Sequence, residues 1–359
     1  MKIGIDVQAS RGSKTGLGVY TDHLVRALGN FSDRHQFFYY TASDAAPWNT
    51  LRRIYWENIE LPNLAKKDRV EILHVPAFSP PLVKFSKLVV TVHDLIGKLF
   101  PNQMGLPSRW YWGRWLPFTV RRADRIIADS ENTKRDLMRH LGVAEQKIRV
   151  IYPSGHEGFS SQVNGTALDT LKKTLSIREK YFLCVGTIEP RKNLLRVLRA
   201  YARFLKKKRD SFYQLIVVGS KEFAHGKAFL QVIREASKDQ DAVVFTGYLD
   251  HDDLNRLYCG AEAFLFPSLY EGFGIPILEA MASGVPVLAS NRSSLPEVGG
   301  DAVYPVNPAS IEEIAEGMAR LAEDGALRRQ LIDRGFQQIK NFSWDKTARE
   351  VVQVYESLA

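Results

Sequence analysis

Two successive series of short apolar runs, each alternating with helical periodicity, constrain this chain more than any single residue does. In the first series Lys2–Val7, Gln36–Tyr40, Ile72–Val75, Leu88–Val92, Arg125–Ala128 and Lys147–Ile151 read as strands, with helical segments such as Tyr20–Leu28 and Thr133–Leu141 between them. The pattern lapses after Pro153, and the polar stretch Ser160–Lys180, with Asn164-Gly165, reads as a linker with one short helix at most. A second series offers Tyr181–Val185, Gln214–Val218, Ala242–Phe245, Ala263–Phe266, Val285–Ala289 and Ala302–Tyr304. Helices at Leu194–Lys207, Asp252–Cys259, Pro276–Ala282 and Ile311–Leu321 separate these, and helical Leu327–Asn341 and Trp344–Leu358 close the chain. Such alternation builds parallel sheets wrapped by helices. The expected architecture is α/β, with two Rossmann-like doubly wound domains facing across a cleft. Residues 1–160 form the first, 161–180 a linker, 181–341 the second, and 342–359 a helix packing back on the first. In sheets of this kind ligands bind beyond the carboxyl ends of the strands, so the residues just after each strand are the candidates for chemistry.

The length of 359 residues suits two α/β domains of middling size. Hydrophobic content of 45% with 25% charged residues excludes broad disorder. Cys184 and Cys259 have no metal or redox spacing and read as small buried hydrophobes in a reducing setting. The opening Met-Lys-Ile-Gly-Ile-Asp-Val reads as a strand and not as a signal peptide. The longest apolar stretch, Ala263–Ala289, contains Glu271, Glu279, glycines and prolines, which argues against a membrane span. A cytoplasmic protein, peripheral at the inner face of the cell membrane, is expected. The net charge of +9 calls for an anionic partner: a phosphate-bearing substrate, a membrane surface or nucleic acid.

The strongest local signal is Pro267-Ser268-Leu269-Tyr270-Glu271-Gly272-Phe273-Gly274-Ile275-Pro276-Ile277-Leu278-Glu279-Ala280. A strand ends, a glycine-bearing loop follows, and Pro276 stands where a first helical residue belongs. The loop amides of Gly272, Phe273, Gly274 and Ile275 and the helix start suit anionic or hydroxyl-rich ligands, with Glu271 in the loop and Glu279 near the first turn. A Glu pair taken alone reads as a helix-dipole partner and a solvated loop residue; the glycines, the proline and the spacing together reverse that preference.

This segment resembles the E-x7-E motif of family 4 of the retaining nucleotide-sugar glycosyltransferases, enzymes of the GT-B fold. The resemblance implies that Glu271 approaches the transferred sugar, that Glu279 binds the nucleotide ribose, and that the adjoining amides contact sugar and phosphate. Gly186-Thr187-Ile188-Glu189-Pro190-Arg191-Lys192-Asn193 resembles the family's phosphate-binding loop, Lys192 standing at the expected lysine. Thr187 replaces the usual arginine, so Arg191 is expected to take that role. Ser10–Gly18 is similar to the loop that closes over the donor phosphates, through Gly16 and Gly18. His93, after an apolar strand, is similar to the family's strand-end histidine and is assigned to positioning the sugar, not to general-base work. Asp94 either orients it or makes an ordinary loop bond. Asp129 and Ser130 match the acceptor-side pattern. Gly219, Gly247, Tyr248 and Leu249 follow strands and either shape the base pocket or are ordinary turns.

Residues 107–125 are basic and aromatic, with Arg114, Arg121 and Arg125 on one face of an ideal helix and Trp110, Trp112, Trp115 and Phe118 adding bulk. Such a helix suits an anionic bilayer presenting a lipid-linked glycan acceptor; a core helix with an exposed arginine face is an equal reading, and Gly113 and Pro117 weigh against one straight helix. No nucleic-acid module is recognisable, so no nucleic-acid partner is expected. No acidic pair stands at a phosphate position, so no metal is expected. The resemblance is strongest to bacterial mannosyltransferases of polysaccharide assembly, which implies GDP-mannose as donor, UDP-sugars next. Two rivals of other classes are an NAD-dependent oxidoreductase, which lacks its G-x-G-x-x-G and distant acid here, and a non-catalytic bilobed sugar-binding protein.

Overall fold

The computed structural model describes residues 1–11, 16–42, 49–77, 79–103, 105–207, 213–219 and 242–359. Of the loop Ser10–Gly18, residues 12–15 lie outside the described residues. The chain divides into two compact units, Met1–Ser154 with Phe342–Ala359, and Gly155–Asn341.

The first unit holds β1 (Lys2–Asp6), β2 (Gln36–Tyr40), β3 (Ile72–Val75), β4 (Lys87–Val92), β5 (Arg125–Ala128) and β6 (Ile148–Val150). They form one parallel sheet in the order β2-β1-β3-β4-β5-β6. The second unit holds β7 (Tyr181–Val185), β8 (Gln214–Val218), β9 (Val243–Gly247), β10 (Ala263–Phe266), β11 (Val287–Ser290) and β12 (Val303–Val306). Its sheet, also parallel, runs β12-β11-β10-β7-β8-β9, the order of dinucleotide-binding sheets. Central strands such as β3, β8 and β10 are buried along their whole length, which is why they read as unbroken apolar runs.

Helix ends follow their caps. Glu131–Leu141 begins two residues before the expected Thr133 because Ser130 caps it, accepting from the Thr133 amide at 3.0 Å, and it stops at Gly142 with φ 61°. Inside the expected linker, Gly165–Thr174 is a ten-residue helix capped by Asn164, within the second unit. The segment 107–125 departs from one straight helix. It is built of Leu106–Trp110, a π-helical Tyr111–Trp115 and Leu116–Val120, and Arg125 opens β5 instead of sharing a helical face with Arg114 and Arg121. Pro107 sits in a first turn, where a missing amide costs little, whereas Pro117 follows the π-helical turn with no break in helical backbone.

The helix Trp344–Glu356 belongs to the first unit, where Trp344, Ala348, Val351 and Tyr355 join Ile3, Ile5 and Leu24 in one core cluster. His74 ties it to the sheet. One ring nitrogen lies 2.6 Å from the Tyr355 hydroxyl and the other 2.9 Å from Thr91 Oγ1. Burial pushes the His74 pKa down to about 3, so the ring is neutral.

Candidate functional site

In the second unit the chain starts mid-sheet at β7, builds outward through β8 and β9, then returns to the other side of β7 with β10. The turns that follow β7 and β10 therefore meet at the switch point, although Arg191 and Glu271 are 80 residues apart in sequence. Arg191 Nη1 lies 2.8 Å from Glu271 Oε2, and Lys192 Nζ lies 2.7 Å from Oε1. Arg191 Nε also reaches Glu189 Oε2 at 2.7 Å. Burial acts to raise the Glu271 pKa, but Lys192 and Arg191 more than offset it and hold the carboxyl below its ordinary value. Burial lowers Lys192, and Glu271 opposes that. A buried carboxylate thus occupies two cations of the kind that hold a diphosphate.

Residues that sequence reasoning gave no role pin this geometry. Asn193, at φ 65°, donates through Nδ2 to the carbonyls of Pro267 at 2.9 Å and Pro308 at 2.7 Å. The Leu269 amide donates to the Arg191 carbonyl at 2.7 Å. After β11, Ser293 Oγ accepts from the Glu271 amide at 3.0 Å, and Ser294 Oγ lies 2.6 Å from the Phe273 carbonyl. Only Asn193 carried a local signal: an asparagine just before a helix is a residue type that tolerates left-handed backbone. Gly274 has φ 118°, and a Cβ there would stand 2.7 Å from Leu295 Cδ2, so this loop position requires glycine.

Glu279 is the fifth residue of the helix Ile275–Ala282, which begins one residue earlier than expected, and so lies just past the first turn. It is half-buried and accepts from the Tyr258 hydroxyl at 3.0 Å. Burial pushes its pKa up to about 7 against the opposing pull of Tyr258 and Lys192. Gly272 and Phe273 are buried, and Ile275 is half-buried at the helix start. A narrow pocket opens at the same strand ends, lined by Gly186, Thr187, Ile188, Lys192 and Phe266 among others. Gly219, at φ 145°, donates its amide to the Gly247 carbonyl at 2.9 Å and presses on Gly186. Gly247 has φ 77°. Tyr248 is 83% exposed and Leu249 half-buried.

In the first unit His93 and Asp94 follow β4, and Asp129 and Ser130 follow β5. His93 Nδ1 lies 2.6 Å from Asp129 Oδ2 and Nε2 lies 2.7 Å from the Pro76 carbonyl. A carbonyl only accepts, so Nε2 carries a proton; a carboxylate only accepts, so Nδ1 carries one too. Burial opposes the charge, but Asp129 and the Pro76 carbonyl raise the His93 pKa above its ordinary value. With both ring nitrogens engaged by Asp129 and the Pro76 carbonyl, His93 has no free nitrogen with which to act as a base. Replacing Asp129 with asparagine is expected to lower the His93 pKa, followed by NMR titration of the ring; an unmoved titration would show that Asp129 does not set the charge.

Asp94 Oδ1 accepts from the Ile96 amide at 2.8 Å, and its charge also acts to raise the His93 pKa. Ser130 is spent as a helix cap. Gly18 is buried, and a Cβ there would meet the Ala9 carbonyl at 2.5 Å, whereas Gly16 is exposed with nothing within 4 Å. No group of three or more metal-ligating side chains stands together among the described residues, and none of their helices is long and apolar enough to cross a membrane.

Comparison with known proteins covers both units. Residues 15–154 match the family described as Glycosyltransferase Family 4, and residues 169–338 the family described as Glycosyl transferases group 1. The O-antigen chain mannosyltransferase B of Escherichia coli is 30% identical over 80% of this chain and 74% of its own length. The serotype-specific mannosyltransferase WbdA of Escherichia coli is 31% identical over 76% of this chain, which spans only 34% of that longer protein. Among solved structures, the sucrose-phosphate synthase of Thermosynechococcus elongatus superposes with a TM-score of 0.75 at 20% identity, covering 99% of this chain and 98% of that one.

Proposed function

Because the chain belongs to family 4 of the glycosyltransferases and has the GT-B fold, we propose that it moves a hexose from a nucleoside diphosphate sugar to a glycan or lipid-linked glycan acceptor in surface polysaccharide assembly. Mannose from GDP-mannose is the preferred donor reading, supported by relatives named as O-antigen mannosyltransferases, with UDP-hexoses second. The observation that carries the reading is the ion cluster of Arg191, Lys192 and Glu271 at the switch point.

The donor diphosphate competes with Glu271 for Arg191 and Lys192. When it takes them, the Glu271 carboxylate is released toward the sugar hydroxyls. The bond from the anomeric carbon to the diphosphate breaks as the two cations, the amides near Phe273 and those near Gly16 and Gly18 meet the charge gathering on the leaving group. The acceptor oxygen bonds to the anomeric carbon on the face the diphosphate leaves, so configuration is retained, and the acceptor proton passes to a diphosphate oxygen. No metal is required in this scheme. His93 positions the sugar as a fixed cation; Gly219, Gly247, Tyr248 and Leu249 border the base; Asp94, Asp129 and Ser130 shape the acceptor side. The enzyme works in the cytoplasm, touching an anionic membrane through residues 107–125.

Glu279 binds the ribose, and its pKa of about 7 gives that bond a pH dependence. Below that value the carboxyl is neutral, and above it the carboxylate accepts more strongly. Nucleotide affinity of the wild type relative to Glu279→Gln is expected to rise several-fold, up to about tenfold, between about pH 6 and about pH 8. Calorimetric titration reads this, and parallel profiles would remove Glu279 from the ribose. The reading as a whole is tested by thermal shift and by transfer assays with GDP-mannose and UDP-sugars. Stabilisation by NAD and not by GDP or UDP would overturn it.

A further inference from the structure

We propose that the first unit rests on an anionic phospholipid surface through two helical runs acting as one platform, residues 50–64 and 106–118. This deepens the membrane contact assigned above to residues 107–125 and adds a second element to it. In the first run Leu51, Tyr55 and Ile59 recur every fourth residue and are 79%, 50% and 47% exposed. In the second, Leu106, Trp110 and Phe118 are 79%, 47% and 53% exposed, and Arg114, exposed as well, fills the gap in the same four-residue row. Eight of the eleven exposed large hydrophobic side chains among the described residues fall between Leu51 and Phe118. Single exposed apolar residues are ordinary; two aligned rows are not.

The inner flanks of the two runs are locked together. The buried Glu57 carboxylate accepts from the Tyr111 hydroxyl and lies 2.5 Å from Ser79 Oγ, and Trp115 Nε1 donates to the same Ser79 oxygen at 3.2 Å. The Arg53 guanidinium lies over the Tyr111 and Trp112 rings, 5.0 and 5.4 Å from their centroids. Both π-helical turns, Trp56–Glu60 and Tyr111–Trp115, contribute to this lock.

Charge selects the occupant. Residues 95–123 contain Lys98, Arg109, Arg114, Arg121 and Arg122 and no carboxylate. In the first run Glu57 is buried and Glu60 pairs with Arg52 at 2.8 Å, so the excess basic charge lies in the second. Aliphatic and indole side chains interspersed with arginines match the boundary between anionic headgroups and acyl chains, where long basic side chains reach outward to phosphate.

Sedimentation of the full chain with vesicles of phosphatidylcholine containing roughly one-third phosphatidylglycerol tests this. The wild type is expected to bind these and not vesicles of phosphatidylcholine alone. Leu51→Asp with Ile59→Asp, and separately Leu106→Asp with Phe118→Asp, are each expected to weaken binding about tenfold or more. Unfolding temperature and the stabilisation by GDP should stay at wild-type values, showing both units folded. Wild-type failure to bind, equal binding to both vesicle types, or loss only with the second pair overturns the proposal. If vesicles bind while neither GDP nor UDP stabilises the chain, the transferase reading fails and the membrane platform stands.

Discussion

Replacing Lys192 with alanine is expected to lower sugar transfer by about two to three orders of magnitude and to weaken nucleotide binding with it. In the proposed reaction the ammonium is one of two cations that meet the diphosphate charge, and in the structure it is held 2.7 Å from the Glu271 carboxylate. Without it, Glu271 remains buried beside Arg191 alone, and burial then pulls its pKa upward with less opposition. Glu271→Gln is the informative partner. It leaves the shape but removes the internal competitor for Arg191 and Lys192, so nucleotide affinity should hold or rise while transfer collapses. Steady-state kinetics with calorimetric nucleotide titration separates the two. Wild-type transfer by both variants would remove the ion cluster from the reaction.

The second large effect is on stability. Gly219→Ala places a methyl where a Cβ would stand 2.1 Å from the Gly186 carbonyl oxygen, at a φ of 145° that side chains rarely adopt. Overpacking and backbone strain together are expected to cost about 3 kcal/mol or more. The neighbouring backbone cannot step aside, because the Gly186 amide is itself bound to the Val218 carbonyl at 2.9 Å. Gly247→Ala meets strain but no atom within 4 Å and should cost about 1–2 kcal/mol. Gly16→Ala meets neither and should be silent. Chemical denaturation of the three variants reads this ranking, and a Gly219→Ala no weaker than Gly16→Ala would contradict it.

Much of the fold was legible because every central strand is covered on both faces and so written as an apolar run; Gln36–Tyr40, Ile72–Val75 and Gln214–Val218 lie where the sequence puts them. The strand at Val287 was read two residues early, since Val285 and Pro286 belong to the turn that Gly284 starts at φ 72°. Residues 50–67 and 96–120 were harder, because rows such as Leu51-Tyr55-Ile59 put apolar side chains on the solvent side and blur the helical period. In the site, Glu271, Glu279 and Lys192 stood out by spacing and by neighbouring glycines. Ser293, Ser294 and Tyr258 did not, because their work depends on strand order: Ser294 reaches Phe273 across 21 residues through β11. The charge of His93 likewise depends on Pro76 and Asp129, carried by loops after two other strands.

The bond between His74 and Tyr355 spans 281 residues, with the whole of the second unit between its ends. During synthesis the first six strands emerge while the helix that covers Ile3, Ile5 and Leu24 has not yet been made. The first unit is therefore begun first and finished last, and the inserted unit, continuous in sequence, folds while its host stands open. A chain cut after Asn341 would keep the second unit whole and leave the first with an exposed apolar face and with His74 holding Thr91 but not Tyr355.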